Sequence, residues 1–173
     1  MKWLALIPLL FLAALAWKWL RPAPVAVLEG PIASWIVPDS WTVGTGTYEG
    51  KLIITRSNTG LRAVAGNAAF PVQVGIAVAF RNPTGEGLPP REETAELDAI
   101  EDAIQTRFCA GNESLFAGVV TTGGMREFVL YTSDGDAARG KAEQLVRDFA
   151  QHKVSFVLNP DASWNVYRQL LDR

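Results

Sequence analysis

Scarcity is the first thing the chain offers: one cysteine, one histidine and no concentration of basic side chains among 173 residues. With Cys109 the only cysteine, no intramolecular disulfide can form. No cysteine follows the apolar N-terminus either, which excludes a lipid-modified lipoprotein. Cys109 falls among Ile104, Phe108 and Ala110 in a helical pattern, where a free thiol serves as a small buried hydrophobe. No basic residue or histidine flanks it to make it reactive. His152, beside Lys153 at a strand edge, reads as an exposed bystander. A catalytic dyad would need a serine or cysteine brought to it by the fold, and no nucleophile-elbow sequence exists.

Charge is scarce as well. There are 16 basic and 18 acidic side chains. Setting aside Lys2, Lys18 and Arg21, which flank the N-terminal apolar run, leaves 13 basic against 18 acidic residues. A mildly acidic domain without a basic face is a poor partner for a phosphate backbone, so no nucleic-acid partner is expected. Hydrophobic content of 49% is sufficient for a true core in one domain plus an appendage.

The appendage is N-terminal. Trp3 to Trp17 carry no charge, and Pro22 and Pro24 break any helix that follows. Lys2 before the run and Ala14-Leu15-Ala16 within it meet the needs of a cleaved signal peptide. Trp3 at one end, with Trp17-Lys18-Trp19 at the other, fits an uncleaved membrane anchor with an aromatic belt. Residues 1–20 are therefore expected to be an anchor or signal peptide, with the membrane as partner through residues 3–20. Residues 21–31 read as a proline-containing linker and residues 32–173 as the folded domain. The expected address is a membrane, with the domain extracytoplasmic (periplasmic), or free in the periplasm if the segment is cleaved.

Within the domain the order of elements is informative. Ser34 to Val37 reads as a short strand. Thr45 to Arg56 reads as a hairpin turning at Glu49-Gly50, and Ser57 to Phe70 as irregular. Val72, Val74, Ile76, Val78 and Phe80 alternate with small or polar residues, a period-two strand. Leu97, Ile100, Ile104 and Phe108 recur at helical spacing over 91–109, behind an acidic first turn that suits the helix dipole. Two strands, Leu115–Thr121 and Met125–Thr132, flank Gly123-Gly124, a strong hairpin signal. A second helix over 137–151, a strand over 154–158 and a short helix over 162–171, capped by Asp161, complete the pattern. The fold class is α+β. It reads as a ferredoxin-like βαββαβ sandwich with an N-terminal β-hairpin extension and a short C-terminal helix, preceded by one hydrophobic N-terminal helix.

This superfold hosts enzymes, regulators and binding modules alike, so function must come from the site. Gly44-Thr45-Gly46 precedes a strand rather than the helix that phosphate binding requires. Asp134-Gly135-Asp136 lacks the closing glutamate of a calcium loop, since Leu145 stands there. Two of Glu92, Glu93 and Glu96 can share a helix face, and paired carboxylates can hold a metal ion or perform acid–base work. An acidic first turn needs no such explanation. No cofactor is implied. Arg126 and Glu127, adjacent on a strand, must point to opposite faces. One must find a partner under the helices, while the other projects from the open face. Opposite the core, Gly75, Ala77 and Ala79 leave a trough that Trp164 and Tyr167 of the last helix are expected to fill.

Several stretches, taken together, resemble a bacterial family catalogued as domain of unknown function 695. They are Gly87-Leu88-Pro89, Glu92-Glu93 with Leu97, and Ile100-Glu101-Asp102. Thr121-Thr122-Gly123-Gly124-Met125-Arg126-Glu127-Phe128, Tyr131-Thr132-Ser133-Asp134 and Asp161-Ala162-Ser163-Trp164-Asn165-Val166-Tyr167 follow in order. The resemblance implies no activity. Some members look to be joined to a domain similar to the ribonuclease E inhibitor family, which implies regulation by protein binding; no such second domain is expected within these residues.

The expected function is a membrane-tethered or exported binding domain with no reaction assigned, and a protein is a candidate partner. Its candidate surface comprises Glu92, Arg126, Glu127, Tyr131, Asp161, Trp164 and Tyr167. The first rival is a hydrolase or metal-dependent enzyme built on Glu92, Glu93 and Asp161, which requires those carboxylates to converge. The second is a regulator of another enzyme by protein binding.

Overall fold

A computed structural model describes residues 27–172; the expected N-terminal helix and most of the linker lie outside them. Six strands form one antiparallel sheet, in the order β1-β2-β4-β5-β3-β6. They are β1 (Trp41–Tyr48), β2 (Lys51–Asn58), β3 (Val72–Ala79), β4 (Ser114–Thr122), β5 (Met125–Thr132) and β6 (Lys153–Pro160). Three α-helices, α1 (Thr94–Phe108), α2 (Gly135–Asp148) and α3 (Asn165–Leu171), complete the α+β domain. Among the described residues no helix is long and apolar enough to cross a membrane.

The expected order of strand, helix, strand, strand, helix, strand is found from β3 to β6. Val74, Ile76 and Val78 of β3 face Leu97, Ile100, Ile104 and Phe108 of α1 and Ala138, Ala142 and Leu145 of α2. Each fully buried leucine, isoleucine or phenylalanine in that layer contributes about 1.5–3 kcal/mol relative to exposure. The hairpins turn where expected, at Glu49-Gly50 and Gly123-Gly124, and all four turn residues have positive φ. That conformation matches the twist of the flanking strands.

Differences from the expected pattern are local. Residues 34–37 make no strand: Ile32–Ser34 is a 3-10 helix, and only a lone bridge joins Val27 to Ile36. Proline at 31 and 38 bounds the segment and removes donors a ladder would need. The helix expected from Arg91 begins with a 3-10 turn, Arg91–Glu93, and becomes α-helical at Thr94.

The second face of the sheet is covered at one end by a second apolar layer. Leu61, Val64, Phe70, Leu115, Ala117, Val129 and Tyr131 pack there against Trp164, Tyr167 and Leu170. Trp164 and Tyr167 thus do fill this side of the sheet. They cover the end nearest Phe70, and Gly75 of β3 instead lies under Glu127, Gln73 and Val157.

Candidate functional site

The seven sequence-derived candidates separate into four places. Tyr131, Trp164 and Tyr167 are fully buried, so they present no surface. The Tyr131 hydroxyl donates to Asp161 Oδ2 at 2.7 Å and accepts the Tyr167 backbone N–H at 3.2 Å. Trp164 Nε1 donates to the Phe70 carbonyl at 2.9 Å, and the Tyr167 hydroxyl to that of Asn58 at 2.7 Å. Asp161 accepts the backbone N–H groups of Asn165 and Val166, capping α3 as expected. Burial raises the Tyr131 hydroxyl pKa above its ordinary value, reinforced by the hydrogen bond to Asp161. These four residues clasp α3 to the sheet. Trp164 adopts φ 57°, a left-handed conformation costing a bulky residue about 1–3 kcal/mol. Burying an indole returns on the order of 4–6 kcal/mol, which outweighs it.

Glu92 is exposed on the 3-10 turn, whereas its neighbour Glu93 is buried. Glu93 Oε1 accepts the Arg81 backbone N–H at 2.8 Å, while Oε2 has no partner among the described residues. Arg81 also binds Glu96 at 2.5 Å, and that hydrogen bond holds the Glu96 carboxyl below its ordinary range. His152 is not an exposed bystander: it is 6% exposed, with Nε2 3.1 Å from Glu96 Oε2. Glu96 in the first turn of α1 thus reaches the α2–β6 connection. Asp161 stands on the other side of the sheet from Glu93, so the convergence a carboxylate-based enzyme required is not found. Among the described residues no three His, Cys, Asp or Glu side chains are grouped to hold a metal ion.

Arg126 and Glu127 point to opposite faces, as their adjacency demands. Glu127 lies over Gly75: a Cβ there would come within 2.8 Å of its carboxylate. Burial raises the carboxyl pKa of Glu127. Arg126 faces α1 and reaches Asp98 at only 3.5 Å, the outer limit of a hydrogen bond. Its Nε is buried and has no acceptor among the described residues.

That guanidinium forms one wall of a cleft of about 320 Å³ between α1, strands β2, β4 and β5, and the 82–90 loop. Register explains the floor. Ile54, Thr121 and Arg126 pair in one row across β2, β4 and β5, and Arg56 pairs with Val119 in the next row on that face. Leu88, Pro89 and Asp98 complete the lining. The loop is pinned on the β4–β5 turn, where the Gly124 N–H donates to the Gly87 carbonyl at 2.9 Å. Gly87 has φ 78°, and a Cβ there would stand 3.1 Å from two backbone nitrogens of the turn, so glycine is required. On the outer side, Arg56 pairs with Glu101 and lies 5.7 Å from the Trp41 ring centre.

Two stretches singled out by sequence, Gly87-Leu88-Pro89 and Thr121 to Arg126, therefore meet at one cleft. The family model for a family of unknown function (DUF695) matches residues 39–171. The chain belongs to DUF695. A search of curated proteins found no match. The DUF695 match takes in both faces of the sheet, the α3 clasp and every residue lining the cleft.

Chemically, the cleft offers guanidinium donors, the Thr121 hydroxyl and apolar walls. Its one acid, Asp98, is turned toward Arg126. Ile54, Arg56, Leu88, Asp98 and Thr121 were not among the sequence candidates. One signal was available: Leu52, Ile54 and Arg56 alternate onto one face of β2, placing a charge on an otherwise apolar row.

Proposed function

We propose that this protein is a binding domain that captures a ligand in the Arg56–Arg126 cleft and carries out no reaction there. The observation that carries the reading is the buried Arg126 Nε without an acceptor in the wall of an open cleft. An unmade hydrogen bond on a buried donor costs about 1–3 kcal/mol, more where the group is charged, and an entering ligand recovers it. The volume falls at the lower end of small-ligand pockets, about 300–1,000 Å³. Residues 3–20 would tether the domain to a membrane and present it outside the cytoplasm. The order β4-β5-β3-β6, with both longer helices on one face, supports the ferredoxin-like reading of the scaffold.

Small organic probe molecules test the site even while its ligand is unidentified. The full chain in nonionic detergent would be titrated with isopropanol and with acetonitrile, and its methyl NMR signals followed. Shifts concentrated on Ile54, Leu88 and Val119 support the cleft. Shifts no larger there than on the exposed Val43 and Val157 sink it.

A second reading, regulation through a protein partner, draws on the outer hairpin beside the cleft. Val43 is 66% and Trp41 38% exposed there. Val43→Asp would then abolish partner capture while leaving the cleft's response to small probes intact.

A further inference from the structure

Resting on the binding reading above, we propose that the ligand is a small carboxylate with an apolar aryl or alkyl body, its carboxylate held by Arg126. Asp98 approaches Nη1 of that guanidinium, which leaves the edge containing Nε unused. This is an edge a planar carboxylate can accept from in bidentate fashion, through two parallel N–H···O bonds. With the Arg126 side chain only 15% exposed, the pair forms largely out of solvent, where screening is weak.

Charge distinguishes a carboxylate from a phosphate. Arg126 is accompanied by Asp98 and Arg56 by Glu101, so the surroundings are neutral before a ligand arrives. A monoanion is accommodated by turning Asp98, 62% exposed, outward to water. A phosphate dianion would meet two carboxylates with no spare cation. The remaining lining requires the apolar body: Ile54, Leu88, Pro89 and Val119 offer no group to satisfy a polar one. Thr121, paired with Arg126 across β4 and β5, supplies one further hydroxyl beside the carboxylate position.

The test uses 3-phenylpropionate, its neutral amide 3-phenylpropionamide and inorganic phosphate, titrated into the full chain in detergent by calorimetry and methyl NMR. The acid is expected to bind at least tenfold tighter than the amide and than phosphate, shifting the Ile54, Leu88 and Val119 methyls. Arg126→Met should remove that tenfold preference. Arg126→Lys keeps the charge and packing stem but has no Nε–H, and should lose most of it without a fall in melting temperature. Equal binding of acid and amide in the cleft overturns the carboxylate assignment while the binding reading stands. Tighter binding of phosphate overturns it too, as does an acid preference that survives both variants. If all three probes leave the cleft methyls unmoved while isopropanol and acetonitrile still gather there, only the carboxylate assignment is lost. If those solvents also fail to gather, both readings are lost.

Discussion

The ring of Tyr131 lies flat on that of Trp164, centroids 3.9 Å apart and planes 9° from parallel. One ring comes from the sheet and the other from the residue preceding α3, so the stack joins the C-terminal helix to the second face. Trp164→Ala should cost about 3–5 kcal/mol through the cavity it leaves. Tyr131→Phe should cost about 1–3 kcal/mol by orphaning the buried Tyr167 N–H and removing one of the donors to Asp161. Urea unfolding measures both. Losses under 0.5 kcal/mol, roughly what a surface position gives, would show the clasp to be dispensable.

Asp161 provides a pH signature. Burial opposes its ionisation, but the N–H groups of Val166 and Asn165 and the Tyr131 hydroxyl outweigh burial and lower its pKa. A carboxyl with a depressed folded-state pKa contributes stability that is complete above the unfolded value, about 3.9, and is lost as pH falls through the folded value. Asp161→Ala should therefore be less stable than the parent by about 1 kcal/mol at pH 7, the worth of a helix cap. The gap should narrow below about pH 4. Urea midpoints at pH 7, 4 and 3 decide this, and a gap independent of pH contradicts it.

Glu127 has the opposite sign. Burial raises its folded-state pKa, so ionisation opposes folding and its cost grows as pH rises above the ordinary glutamate range. Glu127→Gln should stabilise the domain at pH 7 by at most about 1 kcal/mol, because solvent still screens the carboxylate. At pH 4 the two proteins should melt together. A Gln variant less stable at pH 7 would mean that the charge has a stabilising partner.

Gly87 tests the loop that roofs the cleft. Gly87→Ala places a side chain in a left-handed conformation against the β4–β5 turn and should cost about 1–2 kcal/mol. Amide exchange at Gly124, whose N–H donates to the Gly87 carbonyl, should accelerate more than exchange in α2. Uniform acceleration throughout the domain would deny the loop its specific contact.

Cys109 should be inert in the folded protein. Burial pushes its thiol pKa up to about 12, leaving almost no thiolate at pH 8. A disulfide reagent should modify this half-buried thiol far more slowly at pH 8 than in the urea-unfolded chain, and equal labelling rates in the two states would refute the assignment.

Much of the fold was legible from periodicity. The β3 alternation and the α1 stripe of Leu97, Ile100, Ile104 and Phe108 are set by neighbours in sequence, because pleat and helical turn are local geometries. The Glu49-Gly50 and Gly123-Gly124 turns are equally local, since each needs only residues able to take positive φ. The opposition of Arg126 and Glu127 also follows from one strand alone. Which of the two would face α1 does not follow, since it depends on the other strands' register and on where the helix crosses.

The same division explains the site. Trp164, Tyr167 and Tyr131 have large apolar bodies and polar tips that suit either a binding surface or a core, and nothing local separates the two uses. Only the return of α3 across the second face, 94 residues after Phe70, gives the Trp164 N–H its buried carbonyl and makes the cluster structural. His152 is likewise buried in the packed domain, where it meets Glu96, a residue far from it in the chain. The cleft is the clearest case. Arg56, Leu88, Asp98 and Arg126 come from four separate segments, and only strand register and loop docking bring them together. Sequence alone settled the six sheet strands, the three α-helices and their order, because those rest on interactions within a few residues. Tertiary structure decided which polar side chains are core and which line a cavity, because burial is a property of the packed whole.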